Sequence, residues 1–294
     1  MSTQRTATIL ITGATGSIGT ALTKILSEQG VPFKAMVRNT ATAKDLAVLP
    51  GATLVEGDFN HAASLSHALK GIEKAFLLTN SSEEAAQQQI RFVAAAKIAG
   101  VKHIVKLSQW AADVNSPVRF LRYHAAVEAA IIDSGIAYTF LRPNLFMQGF
   151  LGFKDIIAKN AKFFAAAADA RISLIDVRDI AAVAAAALTG GDHENKIYNL
   201  MGPEVLTHQQ IAEIFSRELG TEIRFIDVPD EAMKEALLGV GMPEWQTNGL
   251  LEDYAHYRLQ EAAVTTSVVK DVTGKAPRTF AQFVRDYAPL FKGL

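Results

Sequence analysis

The segment Thr12-Gly13-Ala14-Thr15-Gly16-Ser17-Ile18-Gly19 limits the fold of this chain more than any other. It follows a short apolar, β-branched run at 7–12 and opens a helical pattern over 17–29 that stops at Gly30. In that setting the three glycines have separable duties. Gly13 permits a tight turn. Gly16 lets the backbone approach a pyrophosphate held on the positive end of the helix, and Gly19 lets the helix pack close to the sheet. A bare glycine pattern says little, but a strand before it and a helix after it give it meaning. The segment therefore predicts a dinucleotide site touched by Gly13, Thr15, Gly16, Ser17, Ile18 and Gly19.

The same alternation continues. Residues 33–37, 53–56, 74–78, 101–107 and 137–141 read as strands. The helices between them cover 41–49, a segment capped by Asn60 and ending at Gly71, and a segment opened by the capping box Ser81-Ser82-Glu83-Glu84 and closed at Gly100. A further helix opens at Ser116-Pro117 and ends near Gly135. The strands are short and largely unbroken by polar residues, the pattern of strands buried on both faces of a parallel sheet. The expected fold is α/β, a doubly wound parallel sheet of the Rossmann type with a smaller α-rich C-terminal substrate region. Residues 1–150 are expected to hold the cofactor, with 171–200 returning to that domain. Residues 151–170 and 201–294 are expected to form the substrate or cap region. There, Thr207-His208-Gln209-Gln210 reads as another capping box, 196–199 and 224–226 as brief strands, and the Ala-biased stretch 161–170 as mobile.

Ligands of open α/β sheets lie at the carboxyl ends of the strands. The second strand ends Met36-Val37-Arg38-Asn39. It lacks the acid that holds a ribose 2′-hydroxyl, and Arg38 can fork onto a 2′-phosphate instead, which points to NADP(H). After the third strand, Asp58 can accept from an adenine amino group or simply cap the next helix, with Phe59 beside it. Thr79 and Asn80 end the fourth strand, where a nicotinamide ribose would pass.

Composition removes other classes. The chain of 294 residues has no cysteine, which excludes a disulfide framework, a thiolate metal site and a cysteine nucleophile. With 29 Lys+Arg against 30 Asp+Glu, it lacks the basic excess of a nucleic-acid binder. Its histidines show no metal-ligand spacing, so no metal is expected. The apolar run at 181–188 falls far short of the roughly 20 residues of a membrane span. No basic n-region opens the chain. The expectation is a soluble, cytoplasmic protein with a small-molecule substrate and no membrane or nucleic-acid partner; a homodimer is the assembly to test.

The segments TGATGSIG (12–19), VRN (37–39), GDFN (57–60), AAKIAGVKHIVKLS (95–108), SGIAYTFLRPNLFMQ (134–148) and HENKIYNL (193–200) resemble the NmrA-like family of atypical short-chain dehydrogenases. They are most similar to its quinone and triphenylmethane-dye reductase branch. The resemblance implies NADPH-dependent hydride transfer to a quinone or similar conjugated aromatic. Because the family also includes a redox-sensing transcriptional regulator, the alternative is an NADP(H) sensor acting through a protein partner. Typical short-chain dehydrogenases use a Tyr-x-x-x-Lys pair, and the corresponding segment here reads Arg122-Tyr123-His124-Ala125-Ala126-Val127-Glu128. His124 falls where the isoflavone-reductase-like cousins carry a catalytic lysine.

An electron-poor, planar acceptor needs little acid catalysis, which suits a site without that pair. His124 is then a candidate proton donor, or else a helix histidine bonded to a neighbour. Ser108 and Asn144 are candidates to orient nicotinamide or acceptor. Trp110, Phe146 and Met147 are candidates to wall an aromatic pocket, and core packing explains these three equally well. Asp176 and Asp179 around Arg178 read as capping plus an ion pair, and Tyr254 and Tyr257 as helix-face packing.

Overall fold

The computed structural model describes residues 7–294. In chain order the elements are β1 (Ile9–Ile11), α1 (Ser17–Glu28), β2 (Phe33–Val37), α2 (Lys44–Ala47), β3 (Ala52–Glu56), α3 (Ala62–Ala68), β4 (Lys74–Leu77), α4 (Ala85–Ala99), β5 (His103–Leu107), α5 (Arg119–Ser134) and β6 (Ala137–Pro143). They continue with α6 (Lys154–Asn160), β7 (Lys162–Ala165), β8 (Arg171–Ile172), α7 (Val177–Thr189), β9 (Lys196–Leu200), β10 (Leu206–Thr207), α8 (His208–Leu219) and β11 (Arg224–Asp227). The chain finishes with α9 (Asp230–Gly239), α10 (Glu244–Tyr257), α11 (Val268–Thr273), α12 (Phe280–Asp286) and α13 (Ala288–Phe291).

Seven strands form the main sheet in the order β3-β2-β1-β4-β5-β6-β9. The first six pair in parallel. The order reverses between β1 and β4, and such a reversal opens a crevice beyond the carboxyl ends of those strands. Thr12, fully buried, closes the root of that crevice. Its Oγ1 lies 3.0 Å from the carbonyl oxygens of both Phe76 and Leu78 and accepts from the Leu78 amide at 2.8 Å.

Contacts divide the chain into two compact units. The first comprises Met1–Val114, Leu121–Arg142 and Ile180–Tyr198. Its core sets Leu10, Ala75, Leu77, Ile104 and Phe140 against Leu65, Phe92, Val93 and Val127 of the helices. The second comprises Asn115–Phe120, Pro143–Asp179 and Asn199–Leu294. It pairs β7 with β11 in parallel and β8 with β10 antiparallel. Its core is aromatic, with Phe150, Phe163, Phe215 and Phe280 in mutual ring contact. The stretch 161–170, expected to be mobile, is the seam of this core. Phe163, Ala167 and Ala170 are fully buried there; Phe163 packs on Phe215 of α8, and Met233 Sδ of α9 lies 3.3 Å from the Ala166 amide. Tyr254 and Tyr257 are buried in the same core, as helix-face packing requires.

The capping box at Thr207 forms, with Oγ1 accepting from the Gln210 amide and the Gln210 side chain accepting from the Thr207 amide. The one expected at Ser81–Glu84 does not. Helix α4 starts at Ala85 after Glu84, which makes no side-chain cap, and the Ser81 hydroxyl meets the Tyr123 hydroxyl at 2.9 Å. Asn60 is likewise no cap: α3 begins after His61, and the Asn60 side chain accepts from Arg91 at 2.7 Å. Helix α5 begins at Arg119, so Pro117 precedes its first turn, and Ser116 Oγ accepts from the Val118 amide. Replacing Thr12 by Val should lower stability by about 1–3 kcal/mol in urea unfolding, because it takes the hydroxyl away from the part-buried amide and carbonyl of Leu78, while the Phe76 carbonyl keeps the Thr12 amide. Thr12→Ser, which keeps the hydroxyl, should lose much less.

Candidate cofactor and active site

The turn after β1 is glycine-dependent at two places for internal reasons. Gly13 has φ +61°, and a Cβ there would meet the Leu78 side chain at 2.9 Å. A Cβ on Gly19 would overlap the carbonyl oxygen of Gly13 and the Ala14 backbone, so α1 lies directly on the turn. Gly16 is different. It has extended backbone at φ −80°, and a Cβ would reach only the Gly13 oxygen at 3.4 Å. Nothing inside the fold demands glycine at this exposed N-cap, so the space above it fits an approaching ligand. The Gly16 amide bonds the Gly13 oxygen, while the first-turn amides of Ser17, Ile18 and Gly19 have no intrahelical acceptor. No side chain caps them and no acid occupies the first turn, which suits an anion. Thr15 and Ser17 are exposed; the Ile18 side chain is buried, leaving only its backbone for a ligand.

Arg38 follows β2, is exposed, and has no hydrogen-bond or ion-pair partner among the described residues. Asp58 uses Oδ1 to accept from the Asn60 amide at 2.7 Å, a local turn ahead of α3; the helix itself starts after His61, so Asp58 does not cap it, and its other oxygen stays at the half-exposed surface. Phe59 packs on Phe92 with centroids 5.7 Å apart. Thr79 accepts from Gln89 at 2.8 Å, leaving Gln89 Oε1 buried without a partner among the described residues. Asn80 is exposed.

A second polar group lies at the end of β5. Residues Lys106 and Ser108 share one face of the strand, and His124 and Glu128 share one face of α5. Helix α5 leads from the end of β5 back to the start of the parallel strand β6, so it runs antiparallel to β5, and the bonds cross: Lys106 reaches toward His124 near the strand end and Glu128 reaches toward Ser108. Lys106 Nζ, fully buried, donates to the Leu107 carbonyl at 2.9 Å and meets His124 Nδ1 at 2.8 Å. Ser108 Oγ donates to Glu128, which also takes a two-pronged ion pair from Arg142 at the end of β6. Burial pushes the Lys106 amine down to about 7, with Glu128 opposing the shift and Arg142 adding to it. Burial and the neighbouring cations Lys106 and Arg142 hold His124 neutral, well below its ordinary value. With Lys106 in its ammonium form, Nζ can only donate to Nδ1, which leaves Nε2 to carry the His124 ring proton.

Lys106, Glu128 and Arg142 are the members that motif reading missed. A lysine inside the apolar run His103–Leu107 was the available signal, because such a residue must meet a polar partner; that partner lies 18 residues on and is invisible to local patterns.

The candidates after β6 divide. Asn144 donates both amide hydrogens, to Ser173 Oγ and the Ala262 carbonyl, and its Oδ1 accepts from the Leu145 amide. It ties together segments of the second unit and has no hydrogen left to orient a substrate. Met147 is 1% exposed within the aromatic core, which is the packing alternative of its two expected roles. Phe146 is half-buried and bridges to Ile175, and Trp110 is half-buried in the turn after β5. Asp176 and Asp179 pair with Arg178 and Arg278 respectively, and Arg178 also reaches Asp286. No group of histidine and acidic residues that could hold a metal occurs among the described residues. None of their helices is long and apolar enough to cross a membrane.

The model of the NmrA-like family matches residues 5–283. An NAD(P)H azoreductase from Xenophilus azovorans is 36% identical over 96% of this chain and 99% of its own. An NADPH-dependent quinone oxidoreductase from Escherichia coli, solved with NADPH, superposes with a TM-score of 0.86 at 30% identity, over 95% of this chain and 99% of that one. The triphenylmethane reductase of Citrobacter sp., solved with NADP(H), does so with a TM-score of 0.84 at 28% identity, over 95% and 99%.

The two kinds of glycine separate experimentally. Gly16→Thr keeps a favoured N-cap residue, so its melting temperature should stay near wild type while NADPH affinity falls about tenfold or more. Gly19→Ala should unfold the chain at markedly lower temperature, because its methyl group has no room against the Gly13 carbonyl.

Proposed function

This chain belongs to the NmrA-like family, and we propose that it is an NADPH-dependent reductase that passes a hydride to a quinone or a similar planar, conjugated acceptor. The observation that carries the reading is Gly16: an exposed glycine that no internal contact requires, at an uncapped helix N-terminus that bears no acid. The NADPH-dependent quinone oxidoreductase, the azoreductase and the triphenylmethane reductase among its relatives support both the cofactor and the acceptor class.

In this reading the amides of Ser17, Ile18 and Gly19 hold the pyrophosphate, with Gly13, Thr15 and Gly16 shaping the turn. Arg38 forks onto the 2′-phosphate, Asp58 and Phe59 border the adenine, and Thr79 and Asn80 border the nicotinamide ribose. When bound, NADPH supplies the hydride. Ser108, whose proton is committed to Glu128, accepts from the nicotinamide carboxamide rather than donating to it. His124 presents Nε2–H to the acceptor. A quinone spreads the arriving charge over its ring, so it asks less of a proton donor than a simple ketone does.

Mixing the purified protein with NADPH and a panel of quinones and azo or triarylmethyl dyes should give acceptor-dependent loss of NADPH absorbance. A flat signal across the panel would refute the reductase reading. Arg38→Ala should weaken NADPH binding about tenfold or more, the worth of a charge-assisted contact, and leave NADH within about twofold. Equal losses for both cofactors would remove Arg38 from the 2′-phosphate.

A further inference from the structure

Lys106 is an ammonium-bearing side chain in the middle of a parallel sheet, with no exposed surface. Burying it costs several kcal/mol unless its partners compensate. The cofactor site makes no use of it, and its hydrogen-bond partners are the Leu107 carbonyl and His124 Nδ1, at 2.9 and 2.8 Å. The charged groups facing it are Glu128 from α5, which favours the ammonium, and Arg142 from β6, which opposes it. His124 Nε2 has no partner among the described residues. A neutral imidazole is a very weak acid on its own. It gives up the Nε2 proton readily only when Nδ1 gains one in the same motion, and Lys106 is in contact with Nδ1.

We propose that Lys106 and His124 form a proton relay to the acceptor: Lys106 Nζ gives a proton to His124 Nδ1 as His124 Nε2 gives one to the reduced acceptor. The relay rests on the reductase reading and adds the source of its proton. The acceptor, having gained a hydride, carries a negative oxygen. An O–H bond forms there as the Nε2–H bond breaks. An N–H bond forms at Nδ1 as one breaks at Nζ, which leaves a neutral amine and an imidazole carrying its proton on Nδ1. After product leaves, a solvent proton adds to Nε2 and the Nδ1 proton returns to Nζ. The net consumption is one hydride and one solvent proton per acceptor. A triarylmethyl cation is completed by hydride alone and draws nothing from the relay. The ammonium is the competent form, so quinone turnover falls as pH rises through about 7, the value to which burial lowers Lys106, while dye turnover does not follow that titration.

The test compares wild type, Lys106→Gln and Lys106→Met on benzoquinone and on a triarylmethyl dye cation, with NADPH. Glutamine can still donate a hydrogen bond to Nδ1 but has no proton to transfer. Lys106→Gln should lower quinone kcat about 10²-fold, the typical worth of general acid catalysis. It should leave dye kcat within about twofold and flatten the quinone pH profile. In ¹⁵N-histidine spectra of the cofactor-free protein, wild type and Lys106→Gln should both show His124 protonated on Nε2, and Lys106→Met should lose that bias. Quinone kcat unchanged in Lys106→Gln, or both acceptors slowed alike, would overturn the relay while the reductase reading stands. So would a wild-type His124 protonated on Nδ1. A wild type inert toward both acceptors overturns both readings. If Lys106→Met does not fold, the Lys106→Gln comparison decides alone.

Discussion

The arrangement at the cofactor end depends on one approach of backbone to backbone. Helix α1 sits so close to the turn after β1 that Gly19 has no room for a methyl group beside the Gly13 carbonyl. That closeness aims the free amides of the first helical turn at the crevice between β1 and β4 instead of letting the helix drift outward. Thr12 completes the constraint from beneath. Its single hydroxyl binds three backbone groups of the neighbouring strand end, so the turn and the end of β4 form one rigid floor. Leu78, the residue a Gly13 side chain would strike, belongs to the same floor. A phosphate-binding surface made of backbone has no rotamers to freeze, so binding there does not cost side-chain entropy.

Burial of charge is the second constraint, and crossed side chains solve it. Helix α5 runs antiparallel to β5, so the long Lys106 and Glu128 side chains pass one another to reach His124 and Ser108. Ser108 and Arg142 then saturate Glu128, and Lys106 reaches His124. Removing any one member would leave another buried and unpaired, which costs more than the pair itself contributes. The cluster thereby fixes how the ends of β5 and β6 sit against α5. It also fixes which nitrogen of His124 carries the proton, so the same bonds that hold the fold set the chemistry on offer.

The doubly wound sheet was legible because its signals are local. A glycine turn between a strand and a helix, and apolar runs ended by glycine, repeat often enough to fix the alternation. The end of β2 was legible for the same reason, since the position after Val37 is set by its distance from the turn. Local signals failed where a tertiary contact competed for the same side chain. Ser81 read as a cap, but Tyr123 engages its hydroxyl from 42 residues away. Asn60 read as a cap, but Arg91 takes its oxygen. Met147 read equally as pocket lining or core and Asn144 as an orienting group; the first fills the aromatic core and the second spends its hydrogens on Ser173 and Ala262. Alanine-rich 161–170 read as loose, because composition does not reveal which helices a segment packs against. Lys106 was in plain view within an apolar strand; its partner was not.

These failures share a direction that bears on the chemistry. Beyond β6, polar and flexible side chains that looked free are spent on structure, whereas His124, read as a candidate proton donor or a bonded helix histidine, bonds Lys106 through Nδ1 and keeps its other nitrogen without a partner among the described residues. In the proposed reaction the first unit therefore supplies both the cofactor surface and the proton. An imidazole held neutral by buried neighbours offers little stabilisation to a localised alkoxide, the product of a simple ketone. It serves an acceptor that spreads its own charge, and a cationic dye needs no help from it. In the proposed reaction, a preference for conjugated acceptors over simple ketones follows from that weak stabilisation, without requiring a pocket shaped to any single ring system.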